Sequence, residues 1–220
     1  MKKYLVSYQL EFLENQYPGK FIALEGIDGS GKTTQAHLVA ERLNKIGKKV
    51  IFTKEPTDEE TGQLVRKVLS GKVKIPPIAL QYLFSADRTI HQEQIISLLK
   101  KGNIVFTDRY FWTGVAYAMA DIRNASVDLY LSSFSVLSHY HRFIVPDIAF
   151  YLDVRPDEAF RRIKNSKKHN DIYDRKEKLN LIYKSYTDLI NRFDDLFTII
   201  NGEQTEEKVT QEILSKIDVI

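Results

Sequence analysis

The chain contains no cysteine, which excludes disulfide bonds and thiolate metal sites. It has no run of about 18 apolar residues, the length that a transmembrane helix needs, so we expect no membrane partner. The apolar residues near the N-terminus are interrupted by Ser7, Gln9 and Glu11, and this pattern differs from that of a signal peptide. These absences predict a cytoplasmic protein.

The composition is that of an ordinary globular domain. Hydrophobic residues make up 43% of the 220 positions and charged residues 28%, which is too apolar for a disordered chain. No repeat or low-complexity linker divides the sequence, so we predict a single domain over residues 1–220. The formal net charge of +3 is weak evidence for nucleic-acid binding and suits a small anionic substrate as well. We expect no nucleic-acid partner.

Five short apolar runs predict strands that are covered on both faces, because they are rich in β-branched and aromatic residues and do not alternate strictly. They span residues 21–24, 50–52, 104–106, 148–152 and 196–200. Helical stretches separate them, among them residues 32–45, 61–69 and a long stretch that follows the Pro76-Pro77 pair and runs to residue 101. This alternation predicts an α/β fold with a parallel sheet.

Both ends of the chain carry further helix patterns. Thr205 is the expected N-cap of a closing helix whose Val209, Ile213 and Ile217 share one face. An N-terminal extension, residues 1–19, precedes the first strand. Its spaced apolar residues suggest an amphipathic helix and are Tyr4, Tyr8, Phe12, Leu13 and Tyr17.

A glycine-rich loop between the first predicted strand and the first predicted helix carries the clearest chemical signal. Residues 26–33 read G-I-D-G-S-G-K-T and match the pattern G-x-x-x-x-G-K-[ST] in full. In such a loop, backbone amides and the helix N-terminus bind the phosphates of a nucleoside triphosphate. Lys32 can bridge the β- and γ-phosphates, and the hydroxyl of Thr33 can ligate Mg²⁺.

A carboxylate at the end of the third predicted strand supports the same interpretation. Asp108 follows residues 104–106 at the carboxyl edge of the sheet, where open α/β sheets bind their ligands. Beside a phosphate loop, an acid in this position is typical of a magnesium partner. We therefore predict that Thr33 and Asp108 form the metal site.

The loop alone does not say what becomes of the triphosphate. A switch GTPase reads guanine through an N-K-x-D motif, and N-K-I-G at residues 44–47 lacks the aspartate. Cationic residues instead gather around the predicted ligand edge: Arg88, Arg109 and eight Lys or Arg residues between positions 161 and 178. This density of positive charge suits two anionic nucleotides bound side by side.

Further motifs, taken in order between residues 21 and 217, resemble the thymidylate kinase family. L-F-S-A-D-R at residues 83–88 is similar to the family's thymine-reading helix. D-R-Y-F-W-T-G-V-A-Y at residues 108–117 is similar to its D-R-Y-x-x-S-G-x-A-Y signature, with Thr113 in place of serine. T-K-E-P-T at residues 53–57 and P-D-I-A-F-Y-L-D-V at residues 146–154 also resemble the family, although the glycine pair that often follows Glu-Pro is absent.

The resemblance implies a three-layer P-loop kinase fold, in which helices flank a five-stranded parallel sheet of order 2-3-1-4-5. A short basic lid would lie at about residues 164–176. The implied activity is transfer of the γ-phosphoryl group of ATP, with Mg²⁺, to dTMP, which gives dTDP and ADP in the synthesis of dTTP. The family's usual assembly implies a homodimer.

The resemblance also implies a dTMP site. Phe84 would stack on thymine, and Arg88 would donate a hydrogen bond to its O4. Arg109 would hold the phosphate, Asp28 would approach the 3′-hydroxyl of the sugar, and Tyr117 would pack where a ribose 2′-hydroxyl would need room. The residues of this predicted site are Asp28, Glu55, Pro56, Phe84, Arg88, Arg109, Thr113, Gly114 and Tyr117.

On the ATP side, the resemblance leads to a prediction about the catalytic cations. Some family members carry an arginine directly after the acid equivalent to Asp28, but this chain has Gly29 there, so the transition-state cation must come from the lid. Arg175 in D-R-K-E is the favoured residue, with Lys167 and Lys168 as alternatives. Arg162, at the start of the lid, would contact ATP and its adenine. The predicted ATP site is Gly26, Gly29, Ser30, Gly31, Lys32, Thr33, Thr34 and Arg162, and the predicted catalytic set is Lys32, Arg109 and Arg175.

Two alternative functions stay open at this point. Phe84 with Arg88 would also fit dUMP or UMP, so the chain could be a kinase for another pyrimidine monophosphate. A non-catalytic nucleotide-binding module would carry the same phosphate loop without transferring the phosphoryl group.

Overall fold

A computed structural model describes residues 12–121, 143–166, 173 and 175–217. Its centre is a five-stranded sheet in the order β2-β3-β1-β4-β5, in which all neighbours pair in parallel. The strands are β1 (Lys20–Glu25), β2 (Val50–Lys54), β3 (Ile104–Asp108), β4 (Ile148–Asp153) and β5 (Thr198–Asn201). The order 2-3-1-4-5 expected from the sequence is confirmed.

Helices cover both faces of the sheet. They are α1 (Lys32–Lys45), α2 (Glu60–Leu69), α3 (Pro77–Lys100), α4 (Phe111–Asp121), α5 (Pro156–Asn165), α6 (Lys176–Arg192) and α7 (Glu206–Ile217). On β1, Phe21 and Ala23 belong to a core cluster with α3, α4 and α6, whereas Ile22 and Leu24 belong to a second cluster with α1 and α7. Successive side chains of a strand point to opposite faces, so the two clusters make a three-layer domain. None of these described helices has the length and apolar character of a membrane span.

Two predicted boundaries are wrong by a few residues. The fifth strand was expected at residues 196–200 but is Thr198–Asn201, because residues Asp194–Leu196 form a short 3₁₀ turn before it. The long helix ends at Lys100 instead of residue 101, and Gly102 follows with a φ of 75° that favours glycine. The expected cap of α7 is present: the Thr205 hydroxyl accepts a hydrogen bond from the Lys208 amide at 3.4 Å.

The described part of the N-terminal extension is irregular, and the helix expected there is absent from residues 12–19. Leu13 forms a parallel bridge with Ile144, and its amide donates to the carbonyl of Phe143 at 2.8 Å. The Phe12 ring lies 5.0 Å from that of Phe111 and 6.2 Å from that of Trp112. These backbone and aromatic contacts with a distant segment override the helical spacing of the apolar residues. Residues before position 12 lie outside the described ranges.

The carboxyl ends of three neighbouring strands position the functional side chains. The glycine-rich loop follows β1, Glu55 follows β2, and Asp108 and Arg109 stand at the end of β3. Because β2, β3 and β1 are adjacent and parallel, these residues meet at one edge of the sheet.

Candidate active site

The loop between β1 and α1 has the backbone shape of a phosphate cradle. Gly26, Gly29 and Gly31 all have positive φ values, of 141°, 79° and 98°, which L side chains rarely adopt. The ammonium group of Lys32 is buried over the loop and donates to the carbonyls of Gly26 at 3.0 Å and Ile27 at 2.8 Å. Phosphate oxygens can replace those carbonyls as acceptors for the lysine.

A cavity of about 740 Å³ opens above this loop. Its volume is within the range of about 300–1,000 Å³ that is usual for small-molecule sites. Four segments line it: the loop itself, the end of β3, α5 and the connection between β5 and α7. Of the predicted ATP site, Gly26 does not line the cavity, whereas the other residues do: Gly29, Ser30, Gly31, Lys32, Thr33, Thr34 and Arg162.

The fourth of these segments was missed by the sequence analysis. Gly202, Glu203, Gln204 and Thr205 line the cavity directly after β5. They follow no recognisable motif. Their only signal is their place at the carboxyl end of a strand, where ligand-binding loops of α/β sheets gather.

Lys32 titrates in an unusual range. Burial and the neighbouring charge of Arg109 together lower the pKa of its ammonium group to about 8, although the carboxylates of Asp108 and Asp28 oppose this shift in part. The negative charge of bound phosphates would favour the protonated form. At neutral pH Lys32 is therefore still mostly protonated, and bound phosphates would stabilise that charge further.

Thr33 and Asp108 are in direct contact, as a shared metal site would require. The Thr33 hydroxyl donates to Oδ2 of Asp108, and the second oxygen, Oδ1, is buried with no hydrogen-bond partner among the described residues. Hydroxyl and carboxylate oxygens are the ligands that Mg²⁺ prefers. Within the described ranges no three Asp, Glu, His or Cys side chains are placed so that they could hold a metal ion together, so Mg²⁺ would also need ligands from phosphate and water.

A second cavity, of about 270 Å³, adjoins the first. All nine residues of the predicted dTMP site line it: Asp28, Glu55, Pro56, Phe84, Arg88, Arg109, Thr113, Gly114 and Tyr117. Arg66, Leu69 and Tyr173 complete the wall and were missed. Arg66 donates a hydrogen bond to the carbonyl of Pro56 at 2.8 Å, and no sequence motif predicts this contact.

Arg88 is fixed at the base of this second cavity and has one free donor. Its Nε and Nη2 donate to Oε2 of Glu55 at 2.9 and 2.7 Å, whereas Nη1 is buried with no partner in the described part of the chain. Gly114 provides the space, because a Cβ atom there would lie 2.9 Å from Nη1. A ligand carbonyl in the cavity could accept the unused hydrogen bond.

Asp28, Arg109 and Tyr117 form a cluster where the two cavities meet. The guanidinium of Arg109 contacts the Asp28 carboxylate, and the Tyr117 hydroxyl donates to Asp28 at 2.8 Å and accepts from Arg109 at 3.0 Å. Burial alone would raise the pKa of Asp28, but the charges of Arg109 and Lys32 outweigh it and hold that pKa below its usual value. Asp28 and Arg109 line both cavities.

A buried acid behind the second cavity was also missed. Glu25, the last residue of β1, is fully buried, and its Oε2 accepts from the hydroxyls of Thr113 at 2.5 Å and Tyr186 at 3.0 Å. Burial raises the pKa of Glu25 to about 7, although the two hydrogen bonds lower it in part. This triad ties the start of α4, which carries the cavity residues Thr113 and Gly114, to β1 and α6.

The cations predicted for catalysis and ATP binding lie in different surroundings. Arg162 lines the first cavity and donates to the carbonyl of Gly202 at 2.9 Å, so it joins α5 to the connection after β5. Arg175 is exposed at the N-cap of α6 and lines neither cavity. Lys167 and Lys168 lie outside the described residues.

Gly29 cannot be replaced by a larger residue without displacing α5. A Cβ atom at this position would lie 2.4 Å from the carbonyl oxygen of Ala159 and 3.0 Å from a side-chain carbon of Ile163. Together with the φ of 79°, this contact excludes an arginine at position 29 in the observed arrangement. Position 29 therefore supplies no cation to the cavity.

Comparisons with known proteins agree with this geometry. Residues 24–213 match the family model described as thymidylate kinase. A protein of Methanococcus aeolicus named as a probable thymidylate kinase is 38% identical over 206 residues, and the match covers 90% of this chain and 95% of that protein. A protein of Thermococcus kodakarensis with the same name is 36% identical over 91% of this chain and 98% of its own length.

A solved structure has the same fold. The thymidylate kinase from Candida albicans matches this chain with a TM-score of 0.76, over 91% of this chain and 92% of that one. At 23% sequence identity, the likeness shows the architecture and leaves the roles of individual residues to the local chemistry.

Proposed function

This chain belongs to the thymidylate kinase family, and we propose that its two adjoining cavities bind ATP and dTMP side by side for direct transfer of the γ-phosphoryl group. The chain is a nucleoside monophosphate kinase with ATP as donor and dTMP as acceptor. The larger cavity takes ATP, because it contains the phosphate loop. The smaller cavity takes dTMP.

The observation that carries this proposal is the position of Asp28 and Arg109 in both cavities. A phosphate of the acceptor that binds Arg109 would stand at the junction, next to the γ-phosphate held by the loop. The reacting groups would then be oriented before the reaction starts, which removes much of the entropic cost of bringing them together.

The chemistry needs no general base, because a phosphate oxygen of dTMP is already ionised near neutral pH. That oxygen forms a bond to the γ-phosphorus, the bond from the γ-phosphorus to its bridging oxygen breaks, and ADP leaves with the electron pair. Lys32 and Arg109 neutralise charge on the transferred group. Catalysis then rests on alignment and electrostatic stabilisation.

We propose that Thr33 and Asp108 hold the Mg²⁺ that accompanies ATP. Their hydroxyl and carboxylate oxygens are in contact, and Oδ1 of Asp108 is free to accept a further partner. Bound there, the ion would neutralise negative charge on the donor phosphates. The two side chains would orient the phosphates with respect to the loop.

We propose that Arg175 supplies the transition-state cation. It is exposed within the lid segment, at the N-cap of α6, so a closure of the lid would be needed to bring it to the phosphates. The steric exclusion of arginine at position 29 supports a cation from the lid. Lys167 and Lys168 are the alternatives.

Base recognition is assigned to Phe84 and Arg88. The ring of Phe84 lines the acceptor cavity and offers an apolar face for stacking. The unused Nη1 donor of Arg88 suits a 4-oxo group and not a 4-amino group, because a guanidinium cannot accept a hydrogen bond. This predicts selection against cytosine and adenine nucleotides.

We also propose that the chain forms a homodimer through α3. Ile78, Tyr82 and Ile90 recur on one face of this helix and expose 42%, 56% and 38% of their surface, and Ala86 between them is exposed as well. A second copy of the same stripe would cover these apolar side chains by symmetric packing. Light scattering after size-exclusion chromatography tests the mass, and Tyr82→Glu should yield the monomer.

A coupled assay of ADP formation tests the proposed function. We expect ATP-dependent turnover with dTMP, weaker turnover with dUMP and UMP, and none above background with AMP. Equal or better rates with UMP would indicate a different pyrimidine kinase. ATP binding without dTMP-dependent ADP formation would indicate a non-catalytic module.

The cytoplasmic location expected from the sequence stays a prediction.

A further inference from the structure

We propose that His91 is a positioning residue for base recognition: through Glu55 it fixes the guanidinium of Arg88 that reads the acceptor base. The inference rests on the proposed function, because it concerns how the acceptor cavity selects its ligand. His91 itself does not line that cavity and is 1% exposed, so it acts through another side chain.

The three side chains are linked by buried contacts: His91 and Arg88 lie on α3, and Glu55, directly after β2, contacts both of them. Nδ1 of His91 lies 3.1 Å from Oε1 of Glu55. The other oxygen, Oε2, accepts from Nε and Nη2 of Arg88 at 2.9 and 2.7 Å. Both carboxylate oxygens are therefore occupied, one by each partner. With both fixed, the carboxylate plane of Glu55 cannot rotate without losing a buried bond.

The charge of Glu55 sets the direction of the bond from His91. Burial alone would raise the pKa of Glu55, but Arg88 and His91 outweigh that effect and hold the pKa below its usual value. An ionised carboxylate can only accept, so Nδ1 of His91 carries the hydrogen and donates it. The second ring nitrogen, Nε2, has no partner among the described residues, so the bond to Glu55 is the polar contact that this histidine provides.

The guanidinium of Arg88 can move only slightly without losing its alignment with a bound base. Nη1, its unused donor, is buried next to Gly114, where a Cβ atom would lie 2.9 Å away. A rotation of Glu55 would move the guanidinium toward Gly114 or away from the cavity and misalign Nη1 with a base carbonyl. Hydrogen bonds weaken steeply with such misalignment. The role of His91 is thus to prevent that rotation.

The test compares His91→Phe, which keeps the ring but lacks the donor, with His91→Asn, whose amide can donate from the place of Nδ1. We expect the phenylalanine variant to raise KM for dTMP by about tenfold, with kcat and KM for ATP within about twofold of wild type. The asparagine variant should recover most of the loss. Asn103→Leu is the matched control. It removes a buried polar side chain just after the C-terminal end of α3 and should leave KM for dTMP unchanged.

A double-mutant cycle separates positioning from a general structural role. In an Arg88→Met background the donor to the base is gone, so adding His91→Phe should change kcat/KM for dTMP by less than about twofold. The preference for dTMP over dCMP should fall in His91→Phe as well. If His91→Phe does not fold, as judged by circular dichroism, His91→Leu takes its place in the same cycle.

Three results would overturn the proposal: wild-type KM in the donor-free variant, a full loss that persists in the Arg88→Met background, or an equal rise of KM in Asn103→Leu. All three results are measured with dTMP and require an active wild-type protein, so the ADP assay with the unmodified chain is done first. A wild-type chain without dTMP-dependent activity rejects the proposed function and the positioning role together, whereas an active wild type with any of the three results rejects the positioning role alone.

Discussion

The guanidinium of Arg109 contacts the carboxylate of Asp28 at the junction of two cavities, and each residue lines both of them. Arg109 has a φ of 75°, an uncommon value for a residue other than glycine, and its amide donates to the carbonyl of Leu24 at 3.0 Å. The backbone at the end of β3 therefore holds this side chain between the donor and acceptor sites.

Replacing Arg109 by lysine should separate the effect of its positive charge from the effect of its planar guanidinium. The lysine keeps one positive charge but lacks the planar fork that can bind Asp28, Tyr117 and a phosphate together. We expect kcat/KM for dTMP to fall by about 10²-fold in steady-state kinetics, with a much smaller change in KM for ATP. Arg42→Lys is the control, because Arg42 forms its ion pair with Glu207 on the surface. Retention of full activity in Arg109→Lys would contradict the role of the fork.

Gly29→Ala should damage ATP binding by steric conflict with α5. The added methyl group would meet the carbonyl of Ala159 at 2.4 Å, and a backbone strain of about 1–3 kcal/mol adds to the conflict. We expect KM for ATP to rise at least about tenfold. Gly47→Ala controls for strain alone, since Gly47 has a φ of 82° and open space around it. Similar kinetics for both variants would show that the contact with α5 is unimportant.

Arg175→Ala should lower kcat by about 10²-fold or more and nearly preserve the affinity for dTMP, if this arginine stabilises the transferred group. Single-turnover rates and the Kd of dTMP from calorimetry measure the two quantities separately. Lys176→Ala is the neighbouring control, because Lys176 pairs with Asp157. An unchanged kcat in Arg175→Ala would remove this residue from catalysis.

Glu25→Gln should change how stability depends on pH. The pKa of Glu25 is raised from 4.5 to about 7 in the folded protein, so the folded state binds more protons than the unfolded state between these values. The free energy of unfolding therefore falls as pH rises through this window, by about 3 kcal/mol at most from this group. Urea titrations at pH 5 and pH 8 should show a smaller difference between the two pH values for the variant than for wild type.

Glu177→Gln is the control for this titration, because Glu177 is exposed at the start of α6. It should keep the pH dependence of the wild-type protein. Identical pH profiles for wild type and Glu25→Gln would mean that Glu25 stays ionised in the folded state at neutral pH.

The sequence predicted the parts of the site whose residues are close together in the chain. The phosphate loop spans eight positions and depends on glycines and a lysine at fixed spacing, so a pattern identifies it. Phe84 and Arg88 are one helical turn apart and share a face. Local backbone geometry brings such residues together, and a short stretch of sequence is enough to determine that geometry.

Contacts between distant segments could not be predicted in this way. Glu25 meets Tyr186 across 161 positions, and no spacing rule links a strand end to the middle of α6. The same holds for the N-terminal extension, where pairing of Leu13 with Ile144 decides the conformation. Such contacts depend on the packed fold, which residue spacing does not encode.

The packing of Trp112 has a practical consequence. This residue is the only tryptophan of the chain. It is buried, with the rings of Phe193 and Phe197 at 5.2 and 5.3 Å, and it immediately precedes the acceptor-cavity residue Thr113. Tryptophan fluorescence therefore comes from one known place, next to the acceptor cavity. Ligand binding that shifts the first turn of α4 can be followed as an emission change in the unlabelled enzyme, on a stopped-flow timescale and before any product forms.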